Sequence, residues 1–110
     1  MVNKKDDSYY VNKILSDINF LIEHTENINR NDFGKNELLI DSIMYRFIQI
    51  SEHIQKLTVI FRNMHNEIPW KDIVGLRNRI VHEYGNVNLD IVFDAVKKDI
   101  YIIKDYFESV

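Results

Sequence analysis

Helix-breaking residues are scarce in this chain, since only three of its 110 residues are glycine and one is proline. Apolar residues recur between them at steps of three and four, the spacing that lines one face of an α-helix. The stripes predict four helices at about 8–27, 36–63, 69–84 and 88–108. With about 1.5 Å of rise per residue, the second would be roughly 40 Å long.

Residues typical of helix ends stand between these stretches. The segment NINRNDFGKN has the composition of a loop, and Pro69 stands where a first-turn proline belongs. Gly85 is a natural C-terminal stop for the third helix, and Asn88 can cap the fourth. Four helices with short connections predict an all-α fold, an antiparallel bundle of one domain spanning residues 1–110.

Composition narrows the classes of protein to consider. The hydrophobic fraction is 45%, which is enough for a packed core and argues against disorder. The net charge of −3 is wrong for a protein that holds nucleic acid broadly through its phosphates, so any contact with RNA should be local. The chain has no cysteine, which excludes disulfides and thiolate sites and fits a reducing cytoplasm.

Neither export nor membrane insertion is expected. The first ten residues, MVNKKDDSYY, have no apolar core behind their lysines, so they do not resemble a signal peptide. No apolar run approaches the roughly eighteen residues that a membrane span needs. We therefore expect a cytoplasmic protein.

The segment LRNRIVHEYG, residues 76–85, concentrates polar side chains at the end of the third helix. With about 100° per residue, the side chains on one face form an apolar group that we expect to be buried: Ile73, Leu76, Ile80 and Tyr84. His82 falls near the centre of the opposite face, flanked by Asn78 and Gly75, about 180° from Ile73. That face is polar, and the glycine leaves room for a molecule to approach.

Arg77 falls on the apolar side of the same helix, about 40° from Ile73. An unpaired charge is costly to bury there. Its guanidinium could extend along the helix to solvent, meet a carboxylate such as Glu52, or be covered by a second subunit. Sequence spacing leaves these three possibilities open.

A simpler interpretation of the segment needs no chemistry. Arginine and histidine near a helix C-terminus favourably oppose the helix dipole, and a polar cluster on a short helix is commonly a solvated face. The other histidines, His24, His53 and His65, are scattered along the chain, and no metal-ligand spacing such as His-Glu-x-x-His occurs. We therefore expect neither a metal site nor a cofactor.

The order of residues around Arg77 resembles a family signature. Arg77-Asn78 is followed by three residues and His82, then by one residue and Tyr84, on a helix that opens with Pro69-Trp70. This pattern resembles the HEPN superfamily, and within it the HepT-like toxins encoded beside a minimal nucleotidyltransferase antitoxin. The match covers nearly the whole chain. Where relatives often show Gly-Glu-Ala in the second helix, only Glu52 agrees.

The resemblance implies a homodimeric four-helix bundle that acts as a metal-independent endoribonuclease. It implies that the arginine and histidine line a cleft at the dimer interface. By motif position, His82 would be the general acid or base, Arg77 would stabilise the charge on the phosphate, and Asn78 would orient one of them.

A further role comes from the resemblance. The partner nucleotidyltransferase would attach AMP to Tyr84 and so silence the toxin by adding negative charge. Arg79 lies nearer to His82 on the helical wheel than Arg77 does, which leaves open which arginine is the key one. Motif position favours Arg77, and Arg79 would then bind RNA phosphate. Since any RNA contact should be local, a structured substrate such as tRNA is favoured over random RNA.

Two other functions remain open at this point. The chain could be a non-catalytic helical partner of a nucleotidyltransferase, with the motif serving as an interface. It could also be a nucleotide-binding helical domain. Cleavage of RNA would distinguish the ribonuclease from both of these alternatives. Binding of ATP or AMP without cleavage would favour the nucleotide-binding domain.

Overall fold

The computed structural model describes residues 5–82 and 88–110, and these are helical with short connections and no strand. The all-α prediction is therefore confirmed. The elements are, in chain order, α1 Asp7–Thr25, α2 Arg30–Gly34, α3 Glu37–Gln55, α4 Val59–Met64, α5 Trp70–His82, α6 Leu89–Asp94, a π-helical turn Ala95–Asp99 and α7 Ile100–Glu108. Over these residues, no helix is both long enough and apolar enough to cross a membrane.

The core lies where the apolar stripes of the longer helices meet. Helix α1 packs against α3 and against the final helical segment, and α5 packs against α3. Each stripe supplies several side chains that are almost completely buried, among them Ile14, Ile18, Leu21, Ile43, Ile54, Val92, Ile100 and Phe107. The predicted helices at 8–27, 69–84 and 88–108 agree with this arrangement to within a few residues over the described part.

The prediction of one continuous helix over 36–63 is wrong. Helix α3 ends at Gln55, and a second helix, α4, starts at Val59. Thr58 caps α4 by accepting a hydrogen bond from the backbone of Phe61, 3.1 Å away. Its own N–H and hydroxyl donate to the two carboxylate oxygens of Asp7, each at 2.8 Å. The apolar stripe continues across this break because buried Leu57 lies within it and Phe61 packs against the core.

The predicted loop before α3 also contains structure. Asn29 accepts a hydrogen bond from the backbone of Asp32 at 2.8 Å and so caps the short helix α2. This turn buries Phe33 against Phe93 of α6. Arg30 of α2 pairs with Asp94 and Asp90 of α6. Hydrogen bonds to these two carboxylates raise the pKa of Arg30 above its usual value. The segment therefore ties α2 to α6.

A buried ion pair joins α1 to α3. Asp17 is only 6% exposed and accepts a hydrogen bond from Nη1 of Arg46 at 2.6 Å. The guanidinium of Arg46 also lies over the Phe20 ring, 3.8 Å from its centroid. Nδ1 of His53 lies 3.7 Å from the other carboxylate oxygen of Asp17. These residues form a polar cluster between two helices that are otherwise joined by apolar contacts.

We expect His53 to make stability depend on pH. Burial lowers the pKa of His53 below its ordinary value of 6.5, and nearby Lys13 and Lys56 lower it further, against the opposing effect of Asp17 and Glu52. The unfolded chain therefore binds the proton more readily, so stability should fall as the pH drops below about 6.5 and level off below the folded-state pKa. In urea titrations between pH 7 and 5, His53→Gln should lose less stability than wild type. Equal losses would contradict this, and exposed His24→Gln is the control.

The last helical segment, predicted at 88–108, is confirmed but not uniform. Its turn Ala95–Asp99 is π-helical, which the apolar spacing did not indicate. From this turn, Nζ of Lys97 donates to the carbonyl oxygens of Thr25 at 2.6 Å and Glu26 at 3.2 Å. These carbonyls end α1, so a cation from the final segment caps its C-terminus.

Candidate functional site

Helix α5 carries the motif, and Trp70 fixes its first turn. The indole Nε1 donates to the carbonyl oxygens of Arg62 at 3.3 Å and His65 at 3.2 Å. The ring packs edge-on against Phe107 of α7, with 5.8 Å between the ring centroids. Pro69 supplies the carbonyl that accepts the backbone N–H of Ile73. The start of α5 is thereby held against α4 and α7.

The two faces predicted for α5 are confirmed where the structure describes them. Ile73 and Leu76 are buried, whereas Asn78 and His82 are exposed. A Cβ atom added at Gly75 would meet nothing within 4 Å, so the surface beside it is open. Of the predicted buried group, the side chain of Ile80 and all of Tyr84 lie outside the described residues. The site proposed for modification at Tyr84 therefore stays a prediction.

Arg77, which the helical wheel placed on the apolar side of α5, is of intermediate burial in the structure. Its Nε is shielded from solvent and has no hydrogen-bond partner among the described residues. Its Nη1 donates to Oδ1 of the neighbouring Asn78 at 3.1 Å. Within residues 5–82 and 88–110 it pairs with no carboxylate, and the candidate partner Glu52 is exposed and makes no hydrogen bond or ion pair with it. Among the described residues, Asn78 is therefore the hydrogen-bond partner of this guanidinium.

Arg79 lies on a different side of α5 from Arg77. It is exposed, and it borders an open hollow shared with Lys71, Asp72 and Gly75. It also borders a groove between α5 and α7. Arg79 and His82 are thus both reachable from solvent on the polar side of the helix, whereas Arg77 points toward the buried side.

Two groups of polar side chains that the structure brings together were not predicted from the sequence. Asp17, Arg46 and His53 come together from separate helices, and only the position of a carboxylate within the apolar stripe of α1 hinted at them. Asp72 and Asp99 come from different helical segments and line the same groove. Among the described residues, no three His, Asp or Glu side chains are grouped so that they could hold a metal ion.

Comparison with known proteins assigns the chain to a family. A family model described as "Ribonuclease HepT-like" matches residues 14–110. A protein of Caldanaerobacter subterraneus named "Putative RNase" is 35% identical over 83% of this chain and 81% of its own length. A Methanocaldococcus jannaschii protein of the same name is 30% identical over 99% of this chain and its own full length.

A second Methanocaldococcus jannaschii protein is longer. It is named "Gamma-glutamylcyclotransferase and putative RNase" and is 34% identical over 93% of this chain. The chain spans about half, 46%, of that relative's length. No solved structure matches the chain significantly. The family model covers most of the chain and includes the whole of α5, and the chain therefore belongs to the HepT-like ribonuclease family.

Proposed function

We propose that the protein is a metal-independent endoribonuclease that uses Arg77, Asn78 and His82. The observation that carries this proposal is the state of α5, on which an exposed histidine ends the described helix and a partly buried arginine is held by Asn78. The shielded Nε of Arg77 has no hydrogen-bond partner among the described residues, so this guanidinium retains capacity for a further acceptor. Membership of the HepT-like ribonuclease family supports RNA as the substrate.

The reaction needs only the RNA and these side chains. His82, when neutral, takes the proton from a ribose 2′-hydroxyl, whose oxygen then attacks the adjacent phosphorus. The bond from phosphorus to the 5′-oxygen breaks, and that oxygen leaves with the proton that the His82 imidazolium now carries. The products are a 2′,3′-cyclic phosphate and a 5′-hydroxyl. Arg77 stabilises the negative charge that builds on the phosphoryl oxygens.

One copy of α5 does not aim Arg77 and His82 at the same point. Five residues on an α-helix separate them by about 140° around the axis and about 7.5 Å along it. The partly buried guanidinium would be shared more easily if a second copy of the chain covered it. We therefore propose a homodimer in which the arginine of one subunit and the histidine of the other face one cleft.

Regulation would act on the same helix. We propose that a nucleotidyltransferase antitoxin attaches AMP to Tyr84, two residues beyond His82. The added phosphate would compete with the substrate phosphate for Arg77. The net charge of −3 favours RNA that is held at a local site, and tRNA is our proposed substrate.

The test uses unmodified protein, checked by intact mass and by sizing chromatography, with total tRNA in EDTA. We expect a dimer that produces cyclic phosphate ends. Arg77→Ala should lower kcat by about a hundredfold or more, because it removes transition-state charge stabilisation. Arg79→Ala, the matched control, should mainly raise KM.

Three outcomes would contradict parts of this proposal. A monomer at micromolar concentration would contradict the shared cleft, and equal loss of kcat in the two variants would contradict the assignment of Arg77. A folded dimer that cleaves no RNA would refute the ribonuclease proposal. Tight binding of the nucleotidyltransferase by such a dimer would instead support a non-catalytic partner.

A further inference from the structure

A groove runs between α5 and the final helical segment, on the side of α5 that carries Arg79. Its cavity volume is about 250 Å³. It is open to solvent, and both of its walls are helical. Because α5 forms one wall, the groove lies beside the proposed catalytic residues but does not include any of them.

The floor of the groove is apolar. Ile73 and Leu76 from α5 and Ile103 from α7 are all at least nine-tenths buried. Ile102 forms part of the other wall and is 49% exposed. Such a surface would favour a planar ring with apolar faces, provided that the edge of the ring finds polar partners.

Three charged side chains stand around this floor: Asp72 and Arg79 on α5, and Asp99 on the opposite wall. None makes a hydrogen bond or an ion pair with another of the described residues. Asp72 is exposed in the first turn of α5, where a carboxylate favours the helix dipole. Asp99 is partly buried and lies where the π-helical turn continues directly into α7, so it has no helix end to cap. Its carboxylate therefore has no hydrogen-bond partner among the described residues.

We propose that this groove binds a guanine base of the RNA substrate, with Asp99 as the residue that recognises it. Guanine presents two adjacent donors, N1–H and the N2 amino group, and a carboxylate can accept both. Adenine and cytosine each place an acceptor nitrogen beside their amino group, which would face the carboxylate unfavourably. Unstacked bases of RNA are commonly bound in this way, by a hydrophobic surface and by hydrogen bonds to the Watson–Crick edge. Arg79 at the rim would hold an adjoining phosphate.

This inference rests on the proposed ribonuclease function and makes it more specific. Six residues of α5 separate Leu76 on the groove floor from His82, which is about 9 Å along the helix axis. A base in the groove would therefore belong to a nucleotide close to the phosphate under attack. The groove would select where the chain cuts RNA, without taking part in the chemistry.

The first experiment is independent of cleavage. Isoleucine methyl NMR spectra would be recorded during titrations of the protein with 5′-GMP and 5′-AMP. GMP should shift the signals of Ile102 and Ile103 at concentrations at least tenfold lower than AMP does, since a bidentate pair commonly discriminates bases by about that factor. Asp99→Asn should lose this preference. Asp105→Asn, an exposed aspartate on α7 outside the groove, should keep it.

The second experiment maps the cyclic phosphate ends of cleaved tRNA by sequencing. Wild type and Asp105→Asn should cut beside guanine, and Asp99→Asn should cut with that preference lowered about tenfold or more. Preferential GMP binding without any cleavage would support guanine binding in the groove and refute the ribonuclease function. Cleavage with equal responses to GMP and AMP would refute guanine binding in the groove and leave the ribonuclease function intact. Dissociation of Asp99→Asn to monomers would also overturn it, because the groove would then be a subunit interface.

Discussion

Replacing His82 with alanine is expected to lower RNA cleavage by about two to four orders of magnitude without changing the fold. A positioned general acid or base contributes roughly this factor, and alanine offers no group that can move the proton. His82 is exposed at the end of the described part of α5, so its loss should leave no cavity in the core. The measurement is single-turnover cleavage of tRNA in EDTA, with circular dichroism and thermal unfolding as checks of the fold.

His24→Ala is the matched control for this experiment. His24 is also exposed in the last turn of a helix, α1, where its ring contacts only Phe20 among the aromatic side chains of the described residues. It should therefore cleave RNA at the wild-type rate. Equal activity of His82→Ala and wild type would remove His82 from the mechanism, and an equal loss in both variants would indicate a general effect of removing a histidine.

The second large effect is on stability. Asp17→Asn should lower the free energy of unfolding by about 3 kcal/mol, because breaking a buried ion pair by neutralising one partner leaves the other charge uncompensated. Asp17 is the more deeply buried partner, and the charge left behind is that of Arg46, whose side chain is 29% exposed. Urea titration at pH 7 would measure the change.

Asp105→Asn is again a suitable control, because it removes the same charge from an exposed position of α7. Its effect should be within about 0.5 kcal/mol of wild type. A double variant, Asp17→Asn with Arg46→Met, should recover part of the lost stability, since it removes both charges from the interior. Equal stability of wild type and Asp17→Asn would show that the pair contributes nothing.

The positions of most helices could be predicted from sequence because their signal is local. An apolar step of three or four residues and a cap such as Asn88 are properties of neighbouring residues, and both are confirmed in the structure. The break between α3 and α4 could not be predicted from apolar spacing, because the apolar stripe continues across it. Thr58 is a local capping signal, but the hydrogen bonds that hold Thr58 in place go to Asp7, which is 51 residues away. No pattern of neighbouring residues indicates that contact.

In the candidate site, too, the features set by neighbouring residues could be predicted, and those set by the packing of distant helices could not. The exposure of His82 and the side of the helix on which Arg77 lies follow from their angles on one helix, so both could be predicted from sequence. The hydrogen bond from Arg77 to Asn78 was not among the possibilities that the spacing suggested. The groove beside Arg79 needs α7 to pack next to α5, and the buried cluster needs α1 and α3, so neither could be found from spacing. The tyrosine of the motif, Tyr84, stays a sequence-based prediction.

The π-helical turn at 95–99 makes the last segment tolerant of one particular change in length. A π-helical turn holds one more residue than an α-helical turn, so it commonly behaves as an insertion absorbed within a continuous helix. Deleting one residue there would restore regular α-helical winding and leave the residues beyond the turn facing nearly the same way, with Ile100 and Phe107 still in the core. A deletion within the regular helix between Ile100 and Phe107 would instead rotate Phe107 by about 100° and turn it away from the core. The turn is therefore the place in this segment where a natural difference of one residue in length would disturb the packing least.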